Sequence, residues 1–462
     1  MSFICLIIYS IILFYIIMEF VEIKSKISEV YQDFNNKYDL NFELREKIEE
    51  LLVPSLKEKK EFSEVSTPFS LVEDMLSSMY SSFWTKNSEK KILDPCCGKG
   101  AFVISLFDRF FKGLEEAIPD KIERSKKIIG SIIHFADISE LNVEITREIL
   151  YCHASFHSGI TIDSSVVLCN CYIGDMIQNC NANWCNHYFD AVIGNPPFNE
   201  ANNPRRIIWN KFVIKALTSW IKEGGYLLFV HPPLWRKPLS DMFHLMTRKN
   251  NMLRLSIHSK KEGWQLFGCG TRFDWYLIQR IDTPILKTIV RFDDDVEVKL
   301  ELDPLNWLPN RNFELVRKLM AYNLEEKCPI IYSRSAYGTD KEWMSPERNE
   351  HRGFIYPCVH STLKGGVVRY YYSRVCDRGH FGVPKVIFGE SGIFEPILDI
   401  SGEYGLTHCA MAIGISGLEE GELVVEALKS DWFSEVIKSC CFSSFRIDWR
   451  IFLDFKRDFT KI

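Results

Sequence analysis

The tetrapeptide Asn195-Pro196-Pro197-Phe198 joins a carboxamide, two rigid imino acids and an aromatic ring in four positions. It ends the apolar run "YFDAVIG" (188–194), which reads as a buried strand. A carboxamide held stiffly at a strand tip suits a particular chemistry. An exocyclic amine on a nucleobase is a poor nucleophile, because its lone pair is delocalised into the ring. Two acceptors that take its hydrogens let the nitrogen become more tetrahedral and recover the pair. The side-chain oxygen of Asn195 is one acceptor. The Pro196 carbonyl is the second, held steady because Pro197 restricts the residue before it. Phe198 offers a face on which the base can stack. A base inside a duplex cannot reach such a pocket, so its nucleotide must be flipped out. Attack on a methyl carbon is then a matter of positioning and electrostatics, with no covalent enzyme intermediate.

A second constellation lies upstream in "ILDPCCGKGAF". Asp94 and Pro95 follow an apolar strand, and Gly98 and Gly100 form a turn into a helix. A dinucleotide site would place a third glycine where Val103 stands, and Asp94 would repel a phosphate. The acid suits a cationic ligand, and S-adenosylmethionine carries both an ammonium and a sulfonium. Lys99 is an unexpected neighbour for such a ligand. The next strand, in "HFADIS", ends at Asp137, where an acid commonly accepts from ribose hydroxyls. The third, in "YIGDMI", places Asp175 to accept from an adenine amino group. Ile138 and Ile177 are the candidate ring clamps, with Met176 between Asp175 and Ile177. Singly, each acid reads as a solvated strand end or a helix cap. On successive strand ends of one sheet they read as a cofactor cleft.

These residues need a scaffold. From Ser63 to about Arg280, short apolar runs alternate with helix-patterned stretches, which predicts an α/β fold. The expected form is a Rossmann-like, mostly parallel sheet with helices on both faces. Five segments are expected: an apolar extension (1–18), a helical region (19–60), a catalytic domain (61–285), a linker or hairpin (286–308) and an α+β tail (309–462). The chain has 462 residues and a formal charge of −5. Residues 201–290 nevertheless hold fifteen Lys and Arg against five Asp and Glu, 15 − 5 = +10, as a face for a polyanion would. Fifteen scattered cysteines fit reduced thiols better than a disulfide framework. Cys169, Cys171, Cys180 and Cys185 lack the spacing of a zinc knuckle or ribbon. The opening run is marginal for a membrane span and poor as a signal peptide. Translation from Met18 is the preferred reading and a membrane tether the alternative.

Taken together, the motifs resemble those of an S-adenosylmethionine-dependent DNA methyltransferase acting on adenine N6. Asn-Pro-Pro-Phe is the form tied to that reaction, whereas cytosine-N4 enzymes usually show Ser-Pro-Pro-Tyr. The likeness covers roughly residues 64–280. "VSTPFSLVEDML" resembles the family's Thr-Pro segment, which closes over the methionine carboxylate, so Thr67 and Pro68 join the implied cofactor site. The order of the segments is that of the gamma class, whose target-recognition domain is C-terminal. The resemblance further implies double-stranded DNA as partner, a cytoplasmic enzyme, and no metal for the transfer. The family's later aromatic falls at Phe273, and Trp235, Arg236 and Lys237 fall on a loop near DNA. The tail resembles those of methylases from Type II restriction systems, which leaves room for a separately encoded endonuclease. Lys364, Arg369, Tyr371, Arg374 and Lys385 are its candidate DNA contacts.

Two rival readings share the motifs. One is a methyltransferase for another amine, in ribosomal RNA or a protein glutamine; such enzymes are usually compact, and this chain has a long tail. The other is a non-catalytic, cofactor-binding DNA-recognition subunit, against which the intact Asp94, Gly98, Gly100 and Asn195–Phe198 argue. A fused nuclease would need more than the 60 residues ahead of the sheet.

Overall fold

The computed structural model describes residues 18, 20–32, 41–53, 65–85, 89–163, 165–166, 170–178, 189–200, 203–281, 287–322, 324–442 and 446–461. The run 1–17 and three of the four zinc-alternative cysteines, Cys169, Cys180 and Cys185, lie outside them. Among the described residues, the cysteines are free thiols and no helix is long and apolar enough to cross a membrane.

The chain divides into two compact units. The first holds the residues up to Pro232, with His244–Arg291 and Glu297–Asp303. Its strands are β1 (Ile92–Asp94), β2 (Ile133–Asp137), β3 (Cys171–Ile173), β4 (Phe189–Gly194), the hairpin β5 (Asn199–Glu200) and β6 (Asn203–Ile207), β7 (Ile221–His231), β8 (Asn251–His258), β9 (Phe273–Gln279), β10 (Thr288–Arg291) and β11 (Glu297–Leu300). All but the β5–β6 hairpin form one sheet in the order β3-β2-β1-β4-β7-β9-β8-β10-β11. β3, β2, β1, β4 and β7 are parallel, and β9 inserts antiparallel between β7 and β8.

Both faces of this sheet are covered, which explains the uninterrupted apolar runs. All six residues of β4 are buried. Ile193, Leu228 and Val230 join a core with the helices Ala101–Gly113 and Glu140–Ser158. Their strand neighbours Val192, Leu227 and Phe229 point the other way and are buried as well. On that second face Trp209, first residue of the helix Trp209–Lys215, stacks on His231 at 4.0 Å. The chain winds from β1 to β2 and β3 on one side, then returns to β4 on the other. A crevice therefore opens beyond the carboxyl ends of β1 and β4, the switch point where ligands of such sheets bind.

Helices spanning 20–32 and Asn41–Leu52 pack on this unit through Ile27, Tyr31, Leu44, Ile48 and Leu52. Polar contacts pin them down. The Tyr31 hydroxyl meets His153 Nδ1 at 3.0 Å, and Arg45 donates to Glu73 at 2.9 Å and Asp108 at 2.6 Å. Asp108, His153 and His157 bring ligand-type atoms within 4.8 Å of one another. The Arg45 and Tyr31 contacts make that cluster part of the network holding the helices.

The sheet does not stop at residue 285. The segment expected as a linker or hairpin does form a hairpin, but β10 pairs parallel with β8 and β11 closes the edge. Alternation in "TIVR" and "EVKL" gives β10 one buried face, so pairing with β8 buries apolar surface. The short segment Pro233–Phe243, within the expected catalytic domain, packs with the second unit instead. That unit, Pro304–Ile462 with Phe292–Val296, is α+β, with two four-stranded sheets. One orders Ile330–Ile331, Ala410–Gly414, Lys385–Gly389 and Gly392–Asp399. The other orders Met344–Ser345, Val368–Ser373, Tyr356–Thr362 and Gly405–Leu406.

Candidate active site

β1, β2 and β4 carry their acids and amide at the carboxyl ends of neighbouring parallel strands. Asp94 ends β1 and is fully buried, and Pro95 after it is buried too. Its Oδ1 accepts the Cys96 N–H at 3.2 Å, while Oδ2 is buried without a partner. Burial pushes its carboxyl up to about 8; the Cys96 N–H opposes the rise and the charge of Asp137 adds to it. Gly98 and Gly100 follow with φ of +50° and +94°, backbone that side chains rarely adopt. Space reinforces the requirement at Gly100, where an added Cβ would lie 3.0 Å from Thr146 Cγ2. Thr146 also donates its hydroxyl to the Gly98 carbonyl at 2.9 Å.

Asp137 braces the same turn from β2. Its Oδ2 accepts the Gly98 N–H at 3.0 Å, and Oδ1 accepts Ser139 N–H at 2.9 Å and the Asn142 amide at 3.4 Å. Burial raises its pKa. Asp175, beyond β3, spends Oδ1 on the N–H groups of Ile177 at 2.8 Å and Gln178 at 3.4 Å. Met176 is buried, Ile177 half-buried and Ile138 exposed.

The amide of Asn195 is divided between two environments. Its Nδ2 donates to Thr67 Oγ1 at 3.0 Å, across 128 residues of sequence. Its Oδ1 is buried and without a partner. Thr67 is itself buried, and Pro68 opens the helix Phe69–Ser77, whose Leu71 and Val72 N–H groups bond the Pro68 carbonyl at 3.0 and 3.1 Å. Pro196 is buried, Pro197 and Phe198 half-buried. The Phe198 carbonyl accepts the Ile208 N–H at 3.1 Å, which closes the β5–β6 hairpin after the motif. Gly194 links the two constellations. A Cβ there would sit 2.7 Å from Asp94 Oδ1, so this carboxylate can lie against β4 only beside a glycine. Sequence motifs alone do not mark Thr146, and for Gly194 the "G" of "GNPPF" is the available signal.

Several expected DNA contacts are structural. Trp235 is fully buried and stacks on Phe243 at 5.9 Å. Arg236 is fully buried too, donating to the carbonyls of Leu308 and Pro309 and to Asn310 Oδ1, each at 3.0 Å. Phe273 lies in the core, face to face with His258 at 4.4 Å, so its ring is already covered. Lys385 is fully buried, donating to Asp399 at 2.7 Å and to the Val383 carbonyl at 3.1 Å. In each case a side chain suited to nucleic acid is consumed by its own fold. Lys237 is half-buried, which lowers its pKa. Lys364, Arg369 and Arg374 are exposed, the last lying over Phe354 at 4.2 Å, and Tyr371 packs on His360.

Comparison with known proteins shows what the chain around this cleft is similar to. Residues 47–223 match the family described as N-6 DNA Methylase, a span that includes Thr67, Asp94 and the Asn195 motif. This segment is similar to that family over less than half of the chain. An uncharacterized adenine-specific methylase of Mycoplasma pneumoniae is 22% identical over 245 residues, which are 39% of this chain and 57% of the relative. The chain thus spans little more than half the length of that relative. A chain of the DrdV–DNA complex is similar over 82% of this chain and 52% of its own, with 11% identity and a TM-score of 0.50. The Type IIL restriction-modification enzyme MmeI in complex with DNA aligns over 89% and 70%, with 10% identity and a TM-score of 0.49. At 11% identity the likeness to the DrdV chain concerns fold alone.

Proposed function

We propose that this chain is a site-specific DNA methyltransferase that moves the methyl group of S-adenosylmethionine to the N6 amine of a flipped-out adenine. One observation carries the reading. The Asn195 amide is anchored through its nitrogen on Thr67 while its oxygen is buried and unpartnered. A buried acceptor without a partner is costly, and a donor arriving in the cleft repays that cost. Asp94 Oδ2 is a second unpartnered buried acceptor in the same crevice. Two empty acceptors beside a glycine turn fit a cationic cofactor and an amine substrate, and fit a phosphate group poorly.

On this reading Asp94, Gly98, Gly100, Asp137, Ile138 and Asp175–Ile177 hold the cofactor, with Thr67 and Pro68 at its methionine end. When bound it supplies a methyl group on a sulfonium leaving group. The chain's own residues prepare the amine. Asn195 Oδ1 and the Pro196 carbonyl accept its two hydrogens, returning the lone pair to nitrogen. Phe198 stacks on the base, and the buried walls of the crevice limit competition from water for these acceptors. The second unit reads the DNA, with Lys364, Arg369 and Arg374 as exposed cations for phosphates or base edges. Such an enzyme works in the compartment that holds the DNA. The test is direct. Protein, S-adenosylmethionine and unmethylated mixed-sequence DNA are incubated, and the DNA is digested to nucleosides for mass spectrometry. N6-methyladenine is expected. Methyl transfer only to cytosine, RNA or protein would replace this reading.

A further inference from the structure

We infer that Thr67 is a positioning residue for the transfer: its hydroxyl selects which end of the Asn195 amide faces the substrate amine. The inference rests on the adenine-N6 reading and deepens it.

An asparagine amide can be turned end for end at almost no steric cost, because its oxygen and nitrogen are similar in size. The two orientations differ completely in chemistry. With oxygen toward the substrate, the amide accepts an N–H and helps the amine nitrogen recover its lone pair. With nitrogen toward the substrate, two N–H donors confront an N–H donor, and the site repels the group it must activate. Something other than shape must therefore choose. Thr67 Oγ1 lies 3.0 Å from Asn195 Nδ2 and accepts from it, which leaves Oδ1 as the open atom. Both residues are held firmly: Asn195 between the end of β4 and Pro196, Thr67 buried just ahead of the helix Phe69–Ser77.

A hydroxyl can also donate, so Thr67 discriminates only when its own proton is committed elsewhere. By its resemblance, the Thr-Pro segment would lie against the methionine carboxylate of the cofactor. A carboxylate that accepted the Thr67 hydroxyl proton in a hydrogen bond would leave only the oxygen lone pairs for Asn195, and the amide would then have one favourable orientation. Thr67 would thus make amide orientation depend on an occupied cofactor site, two roles for a single hydroxyl.

The experiment compares Thr67→Val, which keeps the shape and removes the acceptor, with Thr67→Ser, which keeps the acceptor. Methylation of DNA is measured at saturating cofactor, and cofactor affinity separately by calorimetry. Thr67→Val is expected to lower kcat at least about tenfold even at saturation, the size of one lost hydrogen bond in the transition state. Thr67→Ser is expected to stay within about threefold of wild type. In NMR, the Asn195 side-chain amide protons, assigned by their loss in Asn195→Asp, should shift in Thr67→Val and keep near wild-type positions in Thr67→Ser. Unchanged kcat with weakened cofactor affinity would overturn the inference and leave Thr67 as a cofactor contact only. Equal losses in both variants would overturn it too, because bulk and not the hydroxyl would then matter. Should valine disturb folding, Thr67→Ala against Thr67→Ser makes the same comparison. Failure of wild-type protein to make N6-methyladenine would instead reject the function on which the inference stands.

Discussion

Lys385 and Asn195 are both polar residues at strand ends, and the sequence suggested a role in binding for each. The fold treats them oppositely. Lys385, in the second unit, is fully buried and its amine is spent on Asp399 and the Val383 carbonyl. Asp399 is spent in turn on the N–H groups of Glu403 at 2.8 Å and Tyr404 at 3.1 Å. Asn195, in the first unit, is anchored by its nitrogen alone and keeps a buried oxygen without a partner. Lys385, fully buried with both its partners in its own chain, is working for stability. A polar group held rigidly by one end, with the other end empty in a crevice, is prepared for a ligand.

That contrast can be broken most severely at Lys385. Lys385→Ala leaves the Asp399 carboxylate buried without its cation and should cost about 3–5 kcal/mol of stability in denaturant unfolding. Any protein that remains folded should bind DNA as wild type does. A variant of normal stability and weak DNA binding would restore Lys385 as a contact. The next largest effect is expected at Gly194, where alanine brings a Cβ to 2.7 Å from Asp94 Oδ1. Gly194→Ala should cost about 1–3 kcal/mol and weaken cofactor binding, read by unfolding and calorimetry.

Asp94 sharpens the comparison through pH. Its carboxyl, pushed up to about 8 by burial, holds a proton near neutrality that a cationic ligand must displace. Affinity for S-adenosylmethionine should therefore fall as pH drops below about 8, by up to about tenfold per unit, with proton release in calorimetry. The linked effect on stability has the opposite sign. Between its ordinary value of 3.8 and about 8, the unfolded chain has lost this proton and the fold has kept it, so Asp94 destabilises increasingly as pH rises. An affinity flat across this range would remove Asp94 from the cofactor site. The smallest effect belongs to the surface. Arg369→Ala should weaken DNA binding severalfold, flatten its salt dependence by about one ion, and leave stability within about 0.5 kcal/mol.

Much of the parallel sheet is legible in the sequence because parallel strands covered on both faces leave long apolar runs, as in "YFDAVIG" and "GGYLLFV". The acids at their tips stood out because a charge ending such a run needs a reason. What stayed hidden were relations between distant segments. Nothing local to Thr67 announces a bond to Asn195, and nothing at Gly194 announces the carboxylate of Asp94. Charge misled for a related reason. Lys385 opens "KVIFG" and Arg236 follows "HPPLW", and an apolar neighbourhood was the clue that both were buried with partners of their own. Residue type signals what a side chain can bind, while burial decides whether its partner comes from within the chain.

The most direct test of the account is single-turnover methylation by wild type and Asn195→Ala, each saturated with S-adenosylmethionine and DNA, with unfolding curves run in parallel. The account predicts N6-methyladenine from wild type and a rate lower by at least about a hundredfold in the variant. It also predicts stability within about 1 kcal/mol of wild type, because only an unpartnered oxygen and one hydrogen bond are lost. A folded Asn195→Ala protein that methylates adenine at the wild-type rate would contradict it.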